Sequence, residues 1–231
     1  MTGGDTQDTL VTCFFDGPPI AARRTVQPSP SPLQARENAQ RILLRIADRR
    51  VTLLCGDVVT VGRNRMCDIV PSAAGEDDAE GRKRRLKVSR RHCELCRSPA
   101  GWFLRDGVAD ASGRRSLSSF GTWWNGVAVH DAHPLGDQAG ILSLGGPSVA
   151  DAIAFGVRRC GGALVLASRQ PPCEVHVLLD GPVDLSSVDP ALDRLVADWG
   201  NGRFTWRRGT ESGVFVPGTS VQVGACQLWV E

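Results

Sequence analysis

Thr122-Trp-Trp-Asn-Gly-Val-Ala-Val129 carries the strongest local signal in the chain. Asn125-Gly126 stands between two short runs of aromatic and β-branched residues. That dipeptide accepts positive φ at both central positions of a two-residue turn, so the stretch reads as a β-hairpin. The same rhythm extends outward from it. Residues 42–46, 51–55, 58–61, 93–96, 102–104, 140–144 and 153–157 are short apolar runs separated by turn residues. Many short strands with no helical period between residues 41 and 159 predict an antiparallel β-sandwich.

Residues 1–40 read as a flexible tail that ends in the stiff Pro28-Ser-Pro-Ser-Pro32. Its apolar patch, Leu10-Val-Thr-Cys-Phe-Phe15, is long enough to add one strand and too short to fold alone. Within the sandwich, residues 72–87 run from acidic to basic, and residues 108–118 are rich in Gly, Ser and Arg. Both predict extended surface loops. Beyond Cys160 the pattern changes. Val175-His-Val-Leu-Leu179 is a strand. Asp189-Pro190 then marks a helix start, Leu192, Leu195, Val196 and Trp199 follow at helical spacing, and Gly200 closes the run. Strands are expected at 203–206, 213–216 and 220–230. Residues 160–231 are therefore expected to form a small α+β annex packed on the sandwich.

The chain has 231 residues, of which 42% are hydrophobic and 23% charged, with a formal net charge of +2. This supports a real core and excludes global disorder. It also argues against a general polycation for nucleic acid. No apolar run approaches the roughly 18 residues of a membrane span, so no membrane insertion is expected. No basic region followed by an apolar stretch opens the chain, which argues against a signal peptide. The eight scattered cysteines then read as reduced thiols, and the setting as cytoplasmic.

Three motifs occur in order within the β region: Val59-Thr-Val-Gly-Arg63, Val88-Ser-Arg-Arg-His92 and Gly121-Thr-Trp-Trp-Asn125-Gly126. With Asp68-Ile69 after the first and Ile153-Ala-Phe-Gly156 at the end, they resemble the forkhead-associated (FHA) domain family over about residues 41–159. The resemblance implies a β-sandwich whose loops bind phosphothreonine peptides. It implies that Arg63 and Ser89 hold the phosphate, with Arg90 at its edge. Ser119 stands where the family usually has a Thr or Ser that also reaches the phosphate. Gly62, His92, Gly121, Thr122, Asn125 and Gly126 are then loop-bracing residues. Phe120 departs from the family, which usually has a peptide-gripping Asn there. A phenyl ring offers no such hydrogen bond but could pack on an apolar peptide side chain.

The residue chemistry points the same way. A phosphothreonine carries about −1.5 to −2 charges and three strong acceptors. Arg63 offers a planar fork for two oxygens, Ser89 a hydroxyl and a backbone N–H, and Arg90 a second cation. The expected function is phosphothreonine-dependent protein recognition in Ser/Thr kinase signalling or regulated assembly. The expected partner is a phosphothreonine-containing protein. The chain's own tail, with Thr6 and Thr9 among acidic neighbours, is a further candidate once phosphorylated. The alternative is a structural protein that docks through the same loops without phosphate, which the Phe120 departure favours. No catalysis is expected, because Ser89 and His92 lack a nucleophile elbow and an orienting acid. Nucleic acid is an unfavoured partner, since the basic run Arg82-Lys-Arg-Arg85 has no interleaved aromatic platform. No metal or cofactor is expected, because Cys93 and Cys96 lack a second ligand pair.

Overall fold

The computed structural model describes residues 39–47, 49–72, 79–170, 173–224 and 226–231. The tail and the 10–15 patch lie outside these. Strands β1 (Gln40–Ile46), β2 (Arg49–Cys55) and β3 (Val58–Val61) lead to helix α1 (Ala79–Lys87). Then follow β4 (Cys93–Ser98), β5 (Gly101–Asp106), β6 (Val108–Ala109), β7 (Arg115–Ser116), β8 (Thr122–Trp124) and β9 (Val127–Ala128). The next are β10 (His133–Leu135), β11 (Gly140–Leu144), β12 (Ile153–Arg159), β13 (Ala163–Ser168) and β14 (Glu174–Leu179). Six short strands finish the chain: β15 (Val183–Asp184), β16 (Val196–Gly200), β17 (Arg203–Arg208), β18 (Glu211–Val214), β19 (Ser220–Val223) and β20 (Cys226–Val230).

These strands build three layers. The central one is a ten-stranded sheet in the order β19-β20-β1-β2-β14-β13-β12-β11-β8-β9. On one face it packs against the four-stranded sheet β10-β5-β4-β3, burying Leu54, Leu95, Trp102, Leu144, Phe155, Leu166 and Leu178 between them. This is the mainly antiparallel β-sandwich expected from the sequence. On the other face it packs against the sheet β15-β16-β17-β18, burying Leu44, Leu53, Val165, Val177, Leu185, Ala197 and Phe204. Neighbouring residues of β2, β13 and β14 thus face opposite cores. This explains why 53–54, 163–166 and 177–179 are continuous apolar runs, as expected for strands covered on both sides. Strands β14 and β2 pair in parallel, with His176 opposite Thr52, so the segment after residue 160 closes onto the first hairpin of the chain.

Three expectations from the sequence are corrected. The helix expected from Asp189 onward is absent. Asp189 does cap, accepting from the Ala191 N–H, but only a 3-10 turn at Pro190–Leu192 follows. Arg194 has φ +56°, which a continuing helix cannot hold. The chain then enters β16, which pairs with β15 and β17. Leu195, Ala197 and Trp199 also fit a period of two, and strand pairing prevails over the helical reading. The segment is therefore β-structured with two 3-10 turns rather than α+β. Conversely, residues 79–87 form a helix where an extended loop was expected. Its mostly charged residues carry no apolar stripe, so periodicity could not reveal it, although most are good helix formers. Finally, the expected loop 108–118 contains the short ladder β6–β7. It is stapled by Arg115, whose guanidinium lies 2.8 Å from the fully buried Glu94 carboxylate and also donates to the Asp106 and Gly107 carbonyls.

His176 lies at the sandwich-facing side of β14, edge-on to Phe155. Burial pushes its pKa down to about 4. The folded state therefore holds a neutral imidazole that the unfolded chain protonates near pH 6.5. The stability this group supports is complete above about pH 6.5 and is lost as pH falls toward 4. At 1.36 kcal/mol per unit, the loss reaches about 3 kcal/mol. Urea titrations of the wild type and His176→Phe between pH 7 and 4 should show a shallower pH dependence in the variant.

Candidate functional site

The loops at one end of the sandwich are tied together by backbone and side-chain bonds. At the end of β3, the Arg63 N–H donates to the Ser89 carbonyl at 3.1 Å and the Asn64 N–H to the Arg90 carbonyl at 2.9 Å. Gly62 is required by this approach, since a Cβ there would sit 2.5 Å from the Arg90 carbonyl oxygen. Below the turn, Asp68 accepts from the Thr60 N–H and hydroxyl, both at 2.7 Å, and from the Ala39 N–H at 3.0 Å. The loop leaving β3 is thus closed at its base as well as at its tip.

His92 is the centre of the arrangement. It is fully buried. Its Nδ1 lies 2.9 Å from the Ser89 nitrogen and its Nε2 lies 3.0 Å from the Gly121 carbonyl oxygen. The Ser89 N–H can only donate, so Nδ1 accepts and the ring proton sits on Nε2, donating to Gly121. Burial lowers its pKa, opposed in part by the Gly121 carbonyl and by Asp106. The imidazole is therefore neutral, as its two roles require. Ser89 in turn accepts the Ser119 N–H on its Oγ at 2.9 Å. One histidine and one serine thereby join three separate segments.

Most of the residues singled out in the sequence lie on these loops. Arg63 and Arg90 are exposed, and their guanidiniums have no partner among the described residues. Ser89 is half-buried and Ser119 exposed. The Ser89 N–H is committed to His92, so only its hydroxyl proton remains to donate, which corrects the expectation that both would be offered to a ligand. Phe120 is 53% exposed, and its carbonyl accepts from the Trp123 indole. Thr122 is fully buried and donates to Asp106 at 2.5 Å. Asn125, at φ +48°, and Gly126, at φ +79°, form the tight turn, and the Asn125 Oδ1 also accepts the Ile141 N–H at 2.7 Å. Trp124 packs against the core, whereas Trp123 stays half-buried beside the loop.

Two bracing residues were not singled out in the sequence. Asp106 takes the Ser118 hydroxyl at 2.6 Å and the Ser118 N–H at 3.2 Å besides Thr122, which holds the 117–121 loop against the end of β5. The available signal was an acid at a strand end followed by distant hydroxyl residues, and spacing alone cannot pair these. Cys93 is buried, Cys96 is half-buried, and no cluster among the described residues could hold a metal ion.

Residues 59–142 match the family model of the FHA domain, the family that the three motifs resemble. FHA domains are generally phosphothreonine-binding protein-interaction modules and are not catalytic. No curated protein and no solved structure matches the chain. No helix among the described residues is long and apolar enough to cross a membrane.

Because His92 satisfies two buried backbone groups, His92→Ala leaves both without partners. The expected loss is about 2–4 kcal/mol of stability, with broadened backbone amide signals at Ser89 and Ser119 by NMR. A variant as stable as wild type would show that the brace is dispensable.

Proposed function

We propose that this protein binds phosphothreonine-containing partner proteins through the 62–67, 88–92 and 117–121 loops, in Ser/Thr kinase signalling or regulated assembly and in a cytoplasmic setting. The observation that carries this reading is the pair of exposed guanidiniums, Arg63 and Arg90, without partners among the described residues, on loops whose backbones meet at Ser89. A phosphate needs charge-assisted donors that converge without rearrangement. Arg63 and Ser89 are joined through the backbone, and Ser89 is oriented by His92 and Ser119. Ser119 supplies a further hydroxyl from the third segment. Nothing in this arrangement offers a nucleophile with a general base, since His92 spends both nitrogens on backbone groups. A neutral buried brace fits recognition better than catalysis.

Phe120 favours a second reading, phosphate-independent docking through the same loops. Its ring, together with Leu117 and Met66, both 68% and 67% exposed respectively, makes this end of the molecule more apolar than a phosphate site requires. Under the first reading these side chains contact apolar residues flanking the phosphothreonine. The chain's own tail, phosphorylated at Thr6 or Thr9, is a possible occupant under that reading.

Phosphorylated and unphosphorylated forms of a partner peptide distinguish the two readings by isothermal titration. Arg63→Ala should abolish phosphopeptide binding with the fold intact, and Arg63→Lys should lose most of it, because one ammonium cannot replace the fork. Phe120→Asn should strengthen binding if the main-chain clamp is restored, by about 0.5–1.5 kcal/mol per hydrogen bond. Equal binding of both peptide forms, unchanged in Arg63→Ala, would leave only the docking reading.

A further inference from the structure

We infer that the partner's phosphothreonine lies in an acidic segment, and that Arg65, Arg82 and Arg91 receive its carboxylates. The inference rests on the phosphothreonine reading above and narrows it to one class of partner sequence.

Positive charge is concentrated around these loops. Residues 62–67, 79–92 and 117–121 hold nine lysines and arginines and a single acid, Glu80, in a chain whose formal net charge is only +2. Lys83 takes Glu80 at 2.6 Å, in an exposed pair of the weak kind. Glu76, Asp77 and Asp78 precede the helix in sequence and lie outside the described residues. With them counted, residues 76–91 still carry seven cations against four acids. At the loop bases Asp68 and Asp106 are buried and committed to Ala39, Thr60, Ser118 and Thr122.

The cations divide by what already holds them. Arg84 donates to the Ala150 carbonyl at 3.4 Å and Lys87 to the Asp151 carbonyl at 3.1 Å, which pins α1 to the loop before β12. Lys83 and Arg85 are engaged elsewhere. Arg63 and Arg90 serve the phosphate. Arg65, Arg82 and Arg91 remain, all exposed and without partners among the described residues. Each guanidinium fork matches a carboxylate. The three come from separate segments, so they suit several dispersed carboxylates better than one compact second phosphate. Nucleic acid is disfavoured, because α1 carries no aromatic side chain on which a base could stack.

Helix α1 leads straight into the site, since the Val88 N–H still donates to the Arg85 carbonyl. At a rise of about 1.5 Å per helical residue and at most about 3.5 Å per residue beyond, the Arg82 backbone lies within about 15 Å of that of Ser89. An extended peptide spans this in about four or five residues. The acidic positions are therefore expected within about five residues of the phosphothreonine.

The test titrates the full chain by isothermal titration with phosphothreonine peptides whose flanks are acidic or alanine. The acidic peptide should bind about tenfold more tightly at low salt, and the advantage should shrink as salt rises. Arg65→Gln, Arg82→Gln and Arg91→Gln should each reduce it. Arg82→Glu should remove most of it while changing the affinity for the alanine-flanked peptide by less than about twofold. Equal affinity for the two peptides, or an acidic advantage that survives Arg82→Glu, overturns the inference and leaves phosphothreonine recognition standing. If neither peptide outbinds its unphosphorylated form, that reading falls and the inference with it. A peptide with a second phosphothreonine in place of the acidic flank, binding over about tenfold more tightly than the acidic one, would make this a second phosphate site instead. An oligothymidylate that binds as tightly as the acidic phosphopeptide and is lost in Arg82→Glu would make it a nucleic-acid surface. Either result overturns the inference.

Discussion

Strands β2, β13 and β14 are apolar on both faces, and the architecture follows from that. A strand buried on one side only can expose alternate residues to water. Leu53 and Leu54, Val165 and Leu166, and Val177 and Leu178 have no such freedom, because each pair directs one side chain into each of two cores. A second sheet must therefore cover the side that the β10-β5-β4-β3 sheet leaves bare. The β15–β18 sheet and its 3-10 turns do so: Leu185 and Leu192 come from the turns, Leu195 from the approach to β16, and Ala197 and Phe204 from the strands. The parallel pairing of β14 with β2 then places residues 174–178 beside 50–54.

At the loop end the controlling interaction is smaller. His92 sits between the Ser89 N–H and the Gly121 carbonyl, and its neutrality is enforced by burial rather than by a charged partner. Fixing the loops in advance removes ordering cost from ligand binding. Asp106 and Asp68 perform the same task at the bases of two loops, each with several short bonds to hydroxyl and N–H groups. Arg63 and Arg90 remain exposed on this rigid support, without partners among the described residues.

The two buried histidines illustrate different outcomes of the same desolvation. His92 has both nitrogens engaged, so its burial supports the loops. His176 is buried edge-on to Phe155, and neither of its nitrogens has a hydrogen-bond partner among the described residues. In sequence they look alike, each a single histidine at or within a strand.

The β-sandwich, the Asn125-Gly126 hairpin and the three loop motifs were legible in the sequence because each rests on local chemistry: strand alternation, positive φ, and residue types grouped within a few positions. The residues of the candidate site, Arg63, Ser89, Arg90 and Ser119, could be singled out for the same reason. What lay beyond it depended on distant partners. The 195–199 segment satisfies both a helical and a two-residue period, and only its pairing with β15 and β17 selects the strand. The commitment of the Ser89 N–H to His92, the roles of Asp106 and Ser118, and the meeting of Thr52 with His176 join residues that the linear chain keeps apart. Local chemistry determined which segments extend and where they turn. Only the tertiary structure decided which buried polar groups find partners, because that depends on strand order and register rather than on the identity of neighbours in sequence.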